Sequence, residues 1–204
     1  MKLHDKLFAA LTLLAIGLAT GTAELQAQDR AATAELSVLL TSCGQSPGPQ
    51  QVAFFLNRLQ LTHQFEEQAT AGLLVEKQQA GTPFKSLIIV SGASLKGMGA
   101  AGISMRDELA RTEALIAEAK RQQIKVICAH VEGMTRRAQG AAAGDTSDEQ
   151  SIDAVCPHAD FMIVREEGNE DGRFDEISRT RRIPLILYER NMDLSDVLTR
   201  VFQR

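Results

Sequence analysis

Short apolar runs that alternate with segments of helical length constrain the fold of this chain more than any other feature. Clear runs cover residues 35–41, 87–90, 124–131, 159–164 and 184–188, and a weaker run covers residues 61–65. Runs rich in Val and Ile are typical of parallel strands buried on both faces. Their alternation with helices predicts an α/β domain with a three-layer, doubly wound, mostly parallel, Rossmann-like sheet of five to six strands. We expect residues 87–90 at the centre of the sheet.

The first 27 residues have the composition of a signal peptide. Lys2 and Lys6 precede an apolar run at residues 7–19, and small residues follow it. A run of this length suits export better than membrane spanning, with an uncleaved anchor helix as the alternative. We therefore predict a signal peptide at residues 1–27, a short linker at 28–34 and one domain at 35–204. The processed protein is expected to be periplasmic or secreted, without a stable membrane span.

Composition narrows the class of partner. The chain has a net charge of −4, no Trp and one Tyr, and no basic segment stands out. Nucleic-acid-binding domains usually carry a basic face and aromatic side chains on which bases stack. We therefore expect a small-molecule partner and no nucleic acid.

Three cysteines lie after the predicted signal peptide: Cys43, Cys128 and Cys156. An odd number leaves at least one thiol unpaired, and the spacing fits no metal-binding motif. A disulfide is compatible with export, and the sequence does not assign its pairing.

The segment at residues 92–102 is dense in glycine and lies between the central strand and a long helix. Ser104, with Asp107 three residues later, predicts a capping box at the start of that helix. A strand end, a glycine loop and a helix start can together turn backbone N–H groups towards an anion, and Lys96 would supply positive charge. The alternative is a tight loop with a solvated lysine. The letters of residues 97–102 fit GxGxxG, but they begin several residues after the strand and are a weak dinucleotide signal.

The strand ends indicate where a ligand would bind. Right-handed crossovers bring the carboxyl ends of parallel strands to one edge, and ligands of such sheets bind there, near the topological switch point. We predict a small anionic metabolite at this edge, with its identity and any cofactor unknown. The candidate ligand-binding residues are Ser42, Cys43, Gly44, Gln45, Gly92, Ser94, Lys96, Gly97, Gly99, His130, Glu132, Glu167 and Asn169.

An enzyme of hydrolase or transferase type is the second hypothesis. Cys43 precedes a predicted helix start, which can lower the pKa of a thiol, and His130 at another strand end could act as its base. No third residue that would orient such a pair is evident, so a turn cysteine and a strand-end histidine are the alternatives. Glu166 and Glu167 are adjacent and point to opposite sides of an extended chain, so their spacing does not make a carboxylate dyad. No catalytic residue and no metal site is assigned.

Several segments together resemble a family of exported bacterial proteins of unknown function. They are TSCGQSP at residues 41–47, SGASLKGMGAAG at 91–102, HVEG at 130–133, and REEGNEDG at 165–172 followed by IPL. The resemblance runs from about Ser37 to the C-terminus and implies a Rossmann-like domain and an exported location. It carries over no catalytic residue. The stretch at residues 138–144 is longer than in the family pattern.

Overall fold

Six parallel strands form one sheet in the computed structural model, which describes residues 32–137 and 145–202. The predicted signal peptide, most of the linker and the 138–144 stretch lie outside these residues. The order of the strands across the sheet is β2-β1-β3-β4-β5-β6, and every neighbouring pair is parallel. The strands are β1 (Val38–Cys43), β2 (His63–Phe65), β3 (Ser86–Ser91), β4 (Lys125–His130), β5 (Phe161–Arg165) and β6 (Leu185–Tyr188).

Helices cover both faces of the sheet, which makes three layers. The helices α1 and α7 pack on one face, and α2, α4, α5 and α6 pack on the other. The helices are α1 (Gly48–Arg58), α2 (Ala71–Gln79), α3 (Leu95–Ala101), α4 (Met105–Arg121), α5 (Ser147–Val155), α6 (Arg173–Arg181) and α7 (Leu194–Phe202), with 3-10 turns at Gly133–Arg136, Cys156–His158, Glu166–Asn169 and Asn191–Asp193. The α/β class, the doubly wound arrangement and the central position of β3 are therefore confirmed. None of the described helices has the length and apolar character needed to cross a membrane.

The burial of the central strands explains why their sequences lack an alternation of polar and apolar residues. Leu39 in β1 and Ile89 in β3 face the core beneath α2, α4, α5 and α6. Their chain neighbours, Leu40 in β1 and Ile88 in β3, face the core beneath α1 and α7. All four side chains are fully buried. Each apolar side chain of this size contributes about 1.5–3 kcal/mol when it leaves water, so both faces must be apolar for the sheet to be stable.

The segment after β3 differs from the glycine loop that the sequence predicted. Ser94 is the N-cap of α3, and its hydroxyl accepts a hydrogen bond from the N–H of Gly97 at 3.0 Å. Gly102 ends α3 with φ of 69°. Lys96, Gly97 and Gly99 therefore lie on a short helix, because the serine cap and the left-handed glycine define a helical turn between them.

The start of α4 is as predicted. The hydroxyl of Ser104 accepts a hydrogen bond from the N–H of Asp107 at 3.2 Å, and the carboxylate of Asp107 accepts one from the N–H of Ser104 at 3.2 Å. The capping box at this helix is therefore confirmed.

A disulfide joins Cys128 in β4 to Cys156 directly after α5. Cys43 carries a free thiol and is fully buried. All three cysteines lie in the core between the sheet and the helices α2, α4, α5 and α6. The disulfide links the end of α5 covalently to β4 in the middle of the sheet. It therefore also restrains the segment between β4 and α5.

Candidate functional site

At the carboxyl edge, the loop after β1 is in contact with the loop after β3. This is the point where the direction of the chain across the sheet reverses. β1 has β2 on one side and β3 on the other, so this is the predicted switch point. Gln45 and Ala93 form an isolated β-bridge, and the N–H of Ser94 donates to the carbonyl oxygen of Gly44 at 2.7 Å. Backbone contacts therefore occupy the space between the two loops.

Two glycines permit this close approach. Gly44 has φ of 106°, and a Cβ at this position would lie 2.5 Å from the carbonyl oxygen of Gly92. A Cβ at Gly97 would lie 2.1 Å from the carbonyl oxygen of Gln45, whereas one at Gly99 would meet nothing within 4 Å. Gly44 and Gly97 therefore serve the packing of the loops, because any side chain there would force them apart.

The backbone N–H groups after β3 donate to side chains of α5. The N–H of Gly92 donates to the hydroxyl of Ser151 at 2.9 Å, and the N–H of Ala93 donates to the carboxylate of Asp148 at 2.7 Å. The hydroxyl of Ser151 in turn donates to the carbonyl oxygen of Cys43 at 2.5 Å. The loop that the sequence predicted as an anion cradle is thus joined to α5. Ser151 and Asp148 were not predicted as part of the site.

A buried ion pair in α4 holds the loop after β1. The carboxylate of Glu108 accepts hydrogen bonds from the N–H of Gly44 at 2.8 Å and from the amide of Gln45 at 2.9 Å. Arg111 pairs with Glu108 at 2.8 Å and donates to the carbonyl oxygens of Ser42 and Ala69, both at 2.6 Å. Glu108 is fully buried. Sequence reasoning missed this pair, because a Glu and an Arg three residues apart in a helix usually form a surface ion pair.

The helices α4 and α5 also enclose Cys43 at the end of β1. Burial raises the pKa of its thiol, and the nearby hydroxyls of Thr112 and Ser151 counteract this only in part. The strand register pairs Cys43 with Ser91, and the described hydrogen bonds of His130 go elsewhere. The structure therefore does not bring Cys43 and His130 into a hydrogen-bonded pair.

His130 is a buried residue at the end of β4. Its two ring nitrogens each lie 3.1 Å from a carbonyl oxygen, Nδ1 from that of Ser91 and Nε2 from that of Gly133. The ring packs on Phe174, and a Cβ at Gly168 would lie 2.7 Å from it. Burial lowers the pKa of His130, and the two carbonyl contacts oppose the shift.

Glu132 and Arg136 lie at the middle of the edge. The carboxylate of Glu132 accepts a hydrogen bond from the N–H of Gly48, the first residue of α1, at 3.1 Å and pairs with Nε of Arg136 at 3.0 Å. Arg136 covers Gly92, where a Cβ would lie 3.2 Å from its side-chain carbons, and its Nη1 donates to the carbonyl oxygen of Ala93 at 3.0 Å. The side chain remains 25% exposed. Lys96 is exposed on α3 and has no hydrogen bond or ion pair with any described residue.

The other predicted residues make local contacts. The hydroxyl of Ser42 accepts a hydrogen bond from the N–H of Gln45 at 2.9 Å. Asn169 accepts from the N–H of Phe174 at 2.8 Å and donates to Asp175 at 2.7 Å, so it orders the start of α6. Glu167 pairs with Arg165 at 2.5 Å.

Arg137 fastens the segment after β4 to the segment after β5. It pairs with Glu149 at 2.7 Å and with Asp171 at 2.6 Å, and it donates to the carbonyl oxygen of Gly168 at 2.5 Å. Its guanidinium also lies over the ring of Phe174. Sequence reasoning left Arg137 out of the site, and its burial has no signal in the local sequence.

Positive charge is present at the opposite, amino edge as well. A cavity of about 900 Å³ lies there, with Lys85 and Lys125 among the residues that line it. Among the described residues, no three His, Cys, Asp or Glu side chains are placed to hold a metal ion.

These features define a doubly wound α/β domain whose carboxyl edge is joined by internal hydrogen bonds. The chain belongs to the family described as Domain of unknown function (DUF6305), whose model matches residues 35–202. This confirms the resemblance to an uncharacterised family. No curated protein matches the chain.

Two solved structures show a distant likeness. One, provisionally described as an acylhydrolase from Bacteroides fragilis, is 13% identical and covers 74% of this chain and 66% of its own, with a TM-score of 0.34. The other, described as a GDSL-like lipase from Bacteroides thetaiotaomicron, is 14% identical and covers 74% of this chain and 67% of its own, with a TM-score of 0.32.

We predict that Glu108→Gln destabilises the protein strongly. The change leaves Arg111 buried without its counter-charge, which typically costs about 3–5 kcal/mol. Urea denaturation of the purified variant measures the loss in the free energy of unfolding. Glu118→Gln is the matched control, because Glu118 pairs at the same spacing with Arg121, whose side chain is 60% exposed, so water can solvate the arginine that loses its partner and stability should change little. Equal effects of the two changes would contradict this account of the edge.

We also predict that the protein loses stability as the pH falls below neutrality. Burial lowers the pKa of His130 and of His158 in the folded chain, whereas an unfolded histidine has a pKa of about 6.5. Below that pH the unfolded chain binds protons that the folded chain does not, so the free energy of unfolding falls until the folded pKa is reached. Denaturation between pH 7.5 and 5 measures the slope. His130→Asn should reduce it, and an unchanged slope in His130→Asn would exclude His130 as its source.

Proposed function

We propose that this chain is an exported protein that binds a small anionic molecule at the carboxyl edge of its sheet. The observation that supports this best is the position of Arg136. Its guanidinium lies beside the end of β3 at the switch point, it is partly exposed, and its Nη2 has no hydrogen-bond partner among the described residues. A carboxylate or phosphate group suits this donor.

The surroundings of Arg136 favour a specific orientation. Glu132 holds Nε and the carbonyl oxygen of Ala93 holds Nη1, so the direction of the remaining N–H groups is fixed. A guanidinium that is held in place loses less side-chain freedom when a ligand binds than a solvated lysine does. Arg136 therefore replaces Lys96 as the principal cation in this proposal, and Lys96 remains available for long-range attraction.

Binding has more support than catalysis. A thiol whose pKa is raised by burial is a weak nucleophile, and Cys43 is fully buried. His130 is enclosed and both ring nitrogens face backbone carbonyls. The alternative, a hydrolase or transferase that uses Cys43 or His130, would require the buried residue that it uses to become accessible during the reaction.

The location that we propose is the periplasm or the medium. The apolar run at residues 7–19 and the small residues after it motivate processing near Ala23 or Ala27. The disulfide between Cys128 and Cys156 supports the proposal, because such bonds persist in oxidising compartments.

We predict that Arg136→Gln weakens ligand binding and that Lys96→Gln does so much less. A hydrogen bond to a charged group contributes about 1.5–3 kcal/mol, so Arg136→Gln should lower affinity roughly tenfold to hundredfold. A thermal-shift screen of small carboxylates and phosphate esters identifies a ligand, and calorimetry then measures its affinity for the wild type and both variants.

Arg136→Lys serves as a second variant that keeps the charge and loses the planar fork. It should bind with intermediate affinity if the oriented guanidinium matters. A larger loss in Lys96→Gln than in Arg136→Gln would move the site to α3. A screen in which no anion stabilises the wild-type protein would count against the proposed function itself.

We predict that protein recovered from the cell envelope or medium lacks its first residues. Cleavage near Ala23 or Ala27 should give a chain that begins near Glu24 or Gln28. Mass spectrometry of the intact protein measures this start. An exported protein that still begins at Met1 would refute the predicted cleavage, and protein found solely inside the cell would refute export.

A further inference from the structure

We propose that Arg165 and Tyr188 form an oxyanion subsite at the carboxyl edge, on the face covered by α1 and α7. Its ligand is a carboxylate or phosphate group of a small molecule. The proposal goes beyond the binding site at Arg136, because it concerns different side chains and lies two strands away from the end of β3. It does not depend on the choice of Arg136 as the principal cation.

The strand register places the two residues side by side. Arg165 in β5 pairs with Tyr188 in β6, and each is the last residue of its strand. Phe161 and Ile163 lie in the core beneath α1 and α7, as Tyr188 does, and alternation along β5 directs Arg165 to that same face. The two polar side chains therefore meet where an apolar core ends at the edge of the sheet.

Both residues carry a buried donor that nothing in the described part of the chain accepts. The Nε of Arg165 and the hydroxyl of Tyr188 are buried and have no hydrogen-bond partner there. The Tyr188 side chain as a whole is 5% exposed. Buried donors are almost always paired in folded proteins, so two neighbouring unpaired donors indicate a missing acceptor.

Glu167 indicates what kind of acceptor the position takes. Its carboxylate lies 2.5 Å from Nη2 of Arg165, and its side chain is 40% exposed. A carboxylate thus already sits against one side of the guanidinium, while the Nε side stays unused. A partly exposed side chain can move away, and an incoming oxyanion would then reach Nη2 and Nε together in the paired geometry that guanidinium groups favour, with the hydroxyl of Tyr188 as a third donor.

The composition of the chain supplies a direct reporter for this subsite. Tyr188 is the single tyrosine, and the chain has no tryptophan. The intrinsic fluorescence above the phenylalanine range therefore comes from Tyr188 alone, and the near-ultraviolet absorption comes from Tyr188 with a weak contribution from the Cys128–Cys156 disulfide. An acceptor that binds its hydroxyl changes both signals without any label.

The experiment titrates the wild-type protein with sodium acetate and, separately, with inorganic phosphate at constant ionic strength. The expected result is a saturable change in the Tyr188 signal with at least one of the two anions, and the tighter of the two identifies the preferred group. Arg165→Gln should weaken this response roughly tenfold or more, since it removes the charged donor. Glu167→Gln should strengthen it several-fold, because it removes the carboxylate that competes for Nη2.

Two controls separate this subsite from other anion sites. Arg136→Gln and Lys125→Gln should leave the Tyr188 titration unchanged, since they alter the middle of the carboxyl edge and the cavity at the amino edge. If Arg165→Gln does not fold, the Glu167→Gln variant still tests the proposal, because competition predicts tighter binding there. A response that does not saturate with either anion, or one that Glu167→Gln leaves unchanged, would overturn the proposal.

Discussion

The buried ion pair between Glu108 and Arg111 fixes the carboxyl edge of the sheet. Two charges that leave water need nearly complete hydrogen bonding to be tolerated, and this pair obtains it from the backbone of two other segments. Glu108 binds the loop after β1, and Arg111 binds the carbonyl oxygens of Ser42 and Ala69. The pair therefore sets the positions of α4, the end of β1 and the residue that precedes the N-cap of α2.

The same principle extends along the edge. Asp148 accepts a hydrogen bond from the N–H of Ala93, and Ser151 accepts one from the N–H of Gly92. Glu132 accepts one from the N–H of Gly48, and Arg137 joins the segments after β4 and β5. Acceptors that would otherwise have to come from a ligand are thus supplied by the protein. The partly exposed Arg136 and Arg165 keep unused donors that neighbouring contacts hold in place, and both proposed anion sites rest on them.

The sequence predicted the fold well, because the fold follows from patterns within short segments. Apolar runs located five strands clearly, and the capping box at Ser104 and Asp107 located the start of α4. The prediction of a glycine loop around Lys96 was wrong, because the serine cap at Ser94 and the left-handed Gly102 define the short helix α3 there.

The site was harder to predict, because its organisation depends on contacts between distant segments. Glu108 with Arg111 and Glu118 with Arg121 have the same spacing in the same helix, yet Glu108 is fully buried beneath a loop, whereas the Arg121 side chain of the second pair is 60% exposed. The side that each pair faces is set by the tertiary structure. The pairing of Cys128 with Cys156 was likewise open until the end of α5 was placed against β4.

The disulfide between Cys128 and Cys156 adds a covalent restraint to the chain between β4 and α5. It closes a ring of chain that contains Glu132, Arg137, residues 138–144 and all of α5. Within that ring, Arg137 is anchored by Asp171, and Asp145 is anchored by the N–H of Ser147 at 2.9 Å. The described residues on either side of residues 138–144 are therefore held by contacts of their own. A change in the length of the segment between them would leave the disulfide, and with it the spacing of β4 and the end of α5, in place.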